Sequence, residues 1–309
     1  MRQLSTPPPS GAQYELRNGE QRAVVVEVGG GLRSYEVGGR RILDGYGSDE
    51  ICGGGRGQPL LPWPNRIYDG RYEWQGKSLQ LDISEFAAGN AIHGLTRWRN
   101  WTGVMHDPRR VSLTHALHPS PGYPFSLDLE ISYELVADGL VVQTRARNRS
   151  TEACPYGIGF HPYLSPPRAE VVDDCFLELP ASVRLITDQR GIPYSSEPVD
   201  GTPYDFRAPR ELGNLVLDTC FTNLARGADG NAVVAIVGPG RGGVTRLWFD
   251  GAYPYVMVYS GDTLPQRQRR RGLAVEPMSC APNAFASGAG LVALEPGEEH
   301  LARWGISPA

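Results

Sequence analysis

The chain has 309 residues, of which 40% are hydrophobic and 21% charged, and a formal net charge of −4. That is enough apolar material for one large core, and all-β chains of this size commonly fold as a single domain. The slight acidity gives no general electrostatic reason to bind nucleic acid or an anionic membrane surface, so the expected partner is a small molecule.

Residues 1–11, MRQLSTPPPSG, are rich in Pro and Ser and are expected to be disordered, with one domain over 12–309. They contain no apolar signal region, and no later stretch approaches the ~20 apolar residues that would cross a membrane, which predicts a cytoplasmic protein. RAVVVEVGGGLRSYEVGG reads as two strands joined through glycines, with Val24, Val26 and Val28 on one face of the first. Short strands follow at GRYEW, SLQLDI, RVSLTHAL, SLDLEISYEL and GLVVQTRARN, then at VRLIT, AVVAIVG, TRLWFD, YVMVYSG and LAVEP. No long helical period interrupts them. With 38 glycines and 26 prolines to make turns, the pattern predicts an all-β antiparallel sandwich rather than a parallel sheet with crossover helices.

Cys52, Cys154, Cys175, Cys220 and Cys280 are odd in number and scattered, without a C-x-x-C pair, and read as reduced thiols of the core or of a site. QRQRRRG at 266–272 is the conspicuous charge run. It reads as a solvated loop, with the docking of an anionic sugar by Arg267–Arg271 as the alternative.

Five places combine polar side chains with apolar or stiff surroundings. In LLPWPNRIYDG, prolines flank Trp63, and Asn65 and Arg66 follow; an aromatic face, an amide and a guanidinium on a stiff turn suit a sugar, though a plain Pro-rich turn has the same sequence. NAIHGL carries His93 beside Gly94, where a ligand or another backbone can approach closely. GFHPYL sets His161 among Phe160, Pro162 and Tyr163, a setting for an oriented imidazole. Either histidine taken alone is as readily structural. NLVLDTCF reads as an apolar strand ending at Asp218. In GLAVEPMS, Pro277 disfavours the helical region for Glu276, so the carboxylate is expected to stand extended and still at a strand end, either for chemistry or to pair with an arginine.

Metal binding is not expected. His115 and His118 are the nearest histidine pair, and a spacing of three on a strand sends their rings to opposite faces. No G-x-S-x-G marks a serine nucleophile.

Taken in chain order, PWPNRI, IHG, GFHPYL, LDTCF, VEPMSCAPNAF and LEPGEE resemble the aldose 1-epimerase family, also called galactose mutarotases, over residues 14–305. EPMSCAPNAF looks closer to a bacterial branch of related epimerases. The resemblance implies a large antiparallel β-sandwich of the galactose mutarotase type, with a sugar in a cleft on its concave face and no cofactor. It implies His161 as general acid, Glu276 as general base, and Arg66, His93 and Asp218 as groups that bind sugar hydroxyls.

The chemistry matches those residue types. Exchanging anomers requires opening the hemiacetal, turning the aldehyde about C1–C2 and reclosing the ring. A base must take the anomeric hydroxyl proton while an acid protonates the ring oxygen, each positioned group contributing about a hundredfold to ten-thousandfold. A non-catalytic sugar-binding module, an epimerase for a phosphorylated or otherwise anionic hexose, and a glycosidase using Asp218 and Glu276 remain as alternatives.

Overall fold

The computed structural model describes residues 7–309. Of the segment expected to be disordered, residues 1–6 lie outside the described residues, while 7–11 form a turn in which Gly11 N–H donates to the Pro8 carbonyl at 2.9 Å and Ser10 is buried. Strands dominate from there on, and every pairing between them is antiparallel among the described residues. The longest α-helix described is Ala284–Ser287, and among the described residues no helix is long and apolar enough to cross a membrane.

Two large sheets form the body. The nine-stranded sheet runs, in spatial order, through 102–106, 110–117, 127–136, 139–148, 299–308, 244–249, 232–237, 176–178 and 210–211. The eight-stranded sheet runs through 193–198, 181–187, 218–224, 255–259, 273–278, 159–160 and 59–60, with 163–164 also paired to 273–278. A four-stranded sheet of 13–18, 21–26, 32–37 and 40–41 lies apart from both in pairing.

Period-two patterning explains how the sheets pack. Along Leu127–Val136, the residues Leu127, Leu129, Ile131, Tyr133 and Leu135 are all buried, and along Glu299–Pro308 the buried side chains are Ala302, Trp304 and Ile306. From the eight-stranded sheet, Phe221, Val256, Val258, Leu273 and Val275 enter the same core, and Phe160 meets Trp304 across it at 5.0 Å between ring centroids. Each fully buried side chain of this size contributes about 1.5–3 kcal/mol.

The strands read at RVSLTHAL and GLVVQTRARN have the expected ends, Arg110–Leu117 and Gly139–Asn148. Two local expectations are corrected. Asp218 begins a strand, Asp218–Leu224, instead of ending one, because the preceding Asn214–Leu217 stays irregular. Glu276 is not at a strand end either: Leu273–Met278 runs on through Pro277, which pairs with Val256.

Val275 N–H donates to the Pro162 carbonyl (3.1 Å) and Ser279 N–H to the Ile158 carbonyl (2.8 Å), so residue 277 faces the same neighbouring chain between these bonds. The pairs Gly159–Met278 and Tyr163–Ala274 share one register, which sets Phe160 opposite Pro277 and His161 opposite Glu276. Pro277 therefore offers no N–H to the Phe160 carbonyl, and the stretch between the two short strands, where His161 stands, faces Glu276 instead.

Candidate active site

The strand alternation that buries Val275 turns Glu276 to the opposite face of the eight-stranded sheet. Its cross-strand partner is Met257, and Asp218 pairs with Tyr259. Asp218, Tyr259 and Glu276 thus share one face, floored by the small apolar cluster of Cys220, Met257 and Met278. A cleft of about 250 Å³ opens there, lined by Asn65, Arg66, His93, Arg97, His161, Tyr163, Asp218, Tyr259, Thr263 and Glu276 among others.

His161 and Glu276 form the centre. The imidazole Nε2 lies 3.3 Å from Glu276 Oε1, and the two residues are 5% and 2% exposed. Burial, and then the Arg97 charge, pushes the His161 imidazole down to about 3. Burial, and then the nearby Asp218 carboxylate, holds Glu276 well above the ordinary carboxylate range, with Arg66 and Arg97 acting in the other direction. Neither charge is favoured alone, so the pair retains a single proton over a wide pH range.

His93 and Asn65 are locked together by their backbones. Both adopt left-handed conformations (φ 62° and 55°), uncommon for residues with a Cβ. His93 N–H donates to the Asn65 carbonyl (2.9 Å), and Asn65 N–H donates to His93 Nδ1 (3.2 Å). Nδ1 is thereby the acceptor, which places the ring proton on Nε2; burial, then Arg97, keeps the ring neutral. Gly94 does provide a close approach, to backbone and not to ligand: a Cβ there would fall 2.0 Å from the Leu61 carbonyl oxygen.

Arg66 begins the strand Arg66–Tyr68, paired to Asn90–Ile92, and its guanidinium is held by Glu85. Nε donates to Glu85 Oε2 and Nη2 to Oε1, both at 2.9 Å, while Nη1 stands 3.9 Å from Asp218 Oδ2. Asp218 is half exposed at the cleft wall. Desolvation raises its pKa, against the pull of Arg66.

The structure therefore brings His161, Glu276, Arg66, His93, Asp218 and Asn65 together. Trp63 is the correction. It is 2% exposed, packs against Phe285 at 5.5 Å in the core and lines no part of the cleft: the side chain is taken up by core packing.

Sequence reading missed three residues of the cleft wall or its support. Glu85 sits in an unremarkable polar loop and acquires its role only by meeting Arg66. Arg97 follows four residues after His93; its Nε donates to Gln58 Oε1 (2.8 Å), and it makes no ion pair among the described residues. Tyr163, inside the GFHPYL motif, stacks on His161. The arginine run is mostly occupied: Arg270 binds Asp173 and Asp262, and Arg271 donates to Asp44, while Arg267 lines a separate cavity.

Comparisons with known proteins bear on the family and the fold. The family model for aldose 1-epimerase matches residues 12–307. The uncharacterized protein YihR of Escherichia coli K12 is 37% identical over 292 residues, covering 94% of this chain and 91% of that protein. Human galactose mutarotase is 31% identical over 162 residues, 50% of this chain and 46% of the human one. Among solved structures, the GalM/aldose epimerase homologue of C. elegans superposes with a TM-score of 0.84 at 19% identity, covering 96% of this chain and 98% of the other. A putative aldose 1-epimerase of E. coli K12 gives 0.82 at 22%, covering 96% and 99%. The fold is that of the galactose mutarotases, and the chain belongs to the aldose 1-epimerase family.

Proposed function

We propose that the protein interconverts the α and β anomers of an aldohexose, with His161 and Glu276 as the proton-transfer pair and no cofactor. The supporting observation is the buried contact of His161 Nε2 with Glu276 Oε1 at 3.3 Å, facing a cleft that also offers Arg66, His93 Nε2–H and Asp218 to hydroxyls.

In this reading the cyclic sugar reacts when the shared proton is on His161. Glu276 then accepts the anomeric hydroxyl proton, and the imidazolium gives its proton to the ring oxygen. Ring opening converts an ion pair into a neutral acid and a neutral imidazole, the distribution that burial favours. Desolvation thereby drives the opening step, and the opposite charge 3.3 Å away compensates each ion before it. After the aldehyde turns, the same transfers run backward on the other face. Arg66, His93 and Asp218 hold the remaining hydroxyls so that only C1 turns.

The test is the rate at which freshly dissolved α-glucose and α-galactose reach anomeric equilibrium, followed by polarimetry or proton NMR. Acceleration supports the reading. Saturable binding without acceleration makes the protein a sugar-binding module, and release of reducing sugar from a glycoside makes it a hydrolase.

The pH profile follows from the pair. Burial holds His161 down at about 3, so kcat/KM should show no acid limb near the ordinary histidine value of ~6.5. An acid limb centred there contradicts a pair with one proton.

Arg66→Ala should raise KM by about tenfold or more with a smaller change in kcat, since it removes a charged donor to substrate. A fall confined to kcat places Arg66 in the transition state instead.

One observation favours a second substrate class. Arg97 presents a guanidinium to the cleft without a carboxylate partner among the described residues, which suits a hexose bearing an anionic substituent. Competition between a sugar phosphate or uronic acid and the neutral hexose decides between them.

A further inference from the structure

His161 Nδ1, the ring nitrogen that does not meet Glu276, is buried without a hydrogen-bond partner on any other described residue. An imidazole that moves protons through one nitrogen is ordinarily oriented by a bond to the other. Packing takes that place here. Tyr163 lies nearly parallel to the imidazole, at 13° and 5.0 Å between centroids, and His93 meets it edge-on at 5.4 Å. A Cβ at Gly55, where φ is +74°, would come within 3.0 Å of His161 Cδ2, so the loop closes on the ring.

The Tyr163 ring is itself held by further contacts. The guanidinium carbon of Arg56 stands 4.6 Å from its centroid, a cation–π position, and its hydroxyl donates to the Gly54 carbonyl at 3.0 Å. Arg56 is 3% exposed and donates through Nε (3.2 Å) and Nη2 (3.1 Å) to Asp44 Oδ2, and through Nη1 to the Gly53 carbonyl (3.1 Å). Asp44 is equally buried, and its Oδ1 accepts Arg271 Nη2 at 2.5 Å. Neither Asp44 nor Arg56 lines the cleft. A buried ion pair contributes little net stability compared with apolar side chains of the same volume, so stability alone does not account for this one.

We propose that Asp44, Arg56 and Tyr163 form a positioning column for His161: the ion pair fixes the guanidinium, the guanidinium fixes the Tyr163 face, and that face holds the imidazole with Nε2 aimed at Glu276. The proposal rests on His161 being the proton-transfer group of the reading above. The column also sets a positive charge one ring away from the imidazole, which opposes its protonation.

Tyr163→Leu, which keeps apolar bulk and removes the plane, should lower kcat by about tenfold to a hundredfold with KM changed less than about twofold. Tyr163→Phe restores the plane without the hydroxyl and should recover most of that loss, whereas a merely structural role would leave kcat per folded molecule unchanged in both. Because Arg56→Met alone leaves the buried Asp44 Oδ2 without its donors, the charge is tested in the double variant Asp44→Asn, Arg56→Met, whose acid limb should move to higher pH. NMR of the His161 imidazole protons gives a readout independent of turnover: the ring-current shift from Tyr163 should persist in Tyr163→Phe and vanish in Tyr163→Leu. Wild-type kcat and unchanged imidazole shifts in Tyr163→Leu overturn the column. Imidazole shifts that follow the variants in a protein that accelerates no anomeric exchange support the column and count against the mutarotase reading.

Discussion

Glu276→Gln is expected to lower kcat by about a hundredfold to ten-thousandfold and, at the same time, to raise the melting temperature. Glutamine keeps the size of the side chain and a hydrogen-bonding oxygen for His161 Nε2, but it cannot exchange the proton on which ring opening depends. The stability gain comes from the burial of the carboxyl group, whose Oε2 has no hydrogen-bond partner.

The sign follows from linkage. Because the folded-state pKa of Glu276 is raised, the folded chain binds a proton that the unfolded chain releases above ~4.5, and this contribution to stability is lost as pH rises from there through the raised value. Glutamine has no such loss. The melting-temperature advantage of Glu276→Gln should therefore be larger at about pH 8 than at about pH 5. Near-wild-type turnover in the folded variant removes Glu276 from the chemistry, and a pH-independent advantage removes the buried acid from the account of stability.

His161→Ala is expected to cause a loss of kcat of the same order, with a lower melting temperature. The imidazole fills the space between Tyr163 and His93, so its removal leaves a cavity as well as an unpartnered Glu276 Oε1. The folded-state pKa of His161 is depressed, so the stability contributed by the neutral ring is complete above ~6.5 and is lost as pH falls toward about 3. The stability deficit of His161→Ala should accordingly shrink in acid. Free imidazole added to the variant enters the vacated space and should restore part of the rate. Restoration in His161→Ala but not in Glu276→Gln separates a missing proton carrier from a distorted cleft, and full activity of His161→Ala without additive excludes the histidine from proton transfer.

How far the residues themselves disclosed the site depended on the kind of contact. The alternation in SLDLEISYEL and GLVVQTRARN was readable because burial on one face of a strand repeats every second residue. Glu299–Pro308 was not read: it begins with charge and contains a glycine, and only Ala302, Trp304 and Ile306 show which face is inward. His161, Glu276, Arg66, His93, Asp218 and Asn65 were legible because each interrupts an apolar or proline-stiffened segment, the position where a polar side chain needs a reason. Trp63 was misplaced by the same criterion, since stiffness around an aromatic residue does not say whether it points to a cleft or to Phe285. Glu85 and Arg97 carried no local signal, because their significance is a contact with Arg66 in one case and the absence of a carboxylate partner in the other.

The amino-acid sequence by itself determined an all-β antiparallel chain, and its ordered motifs pointed to the aldose 1-epimerase family and to the histidine and glutamate on which the proposed chemistry turns. Those are properties of local pattern, in which neighbours along the chain constrain one another. Only the tertiary structure decided that Pro277 lies inside a strand, that the register sets His161 opposite Glu276 at 3.3 Å, and that Tyr163, Arg56 and Asp44 follow it in a chain of contacts. These contacts join segments from Asp44 to Glu276, and their geometry follows from strand order and register, which no short stretch of sequence contains.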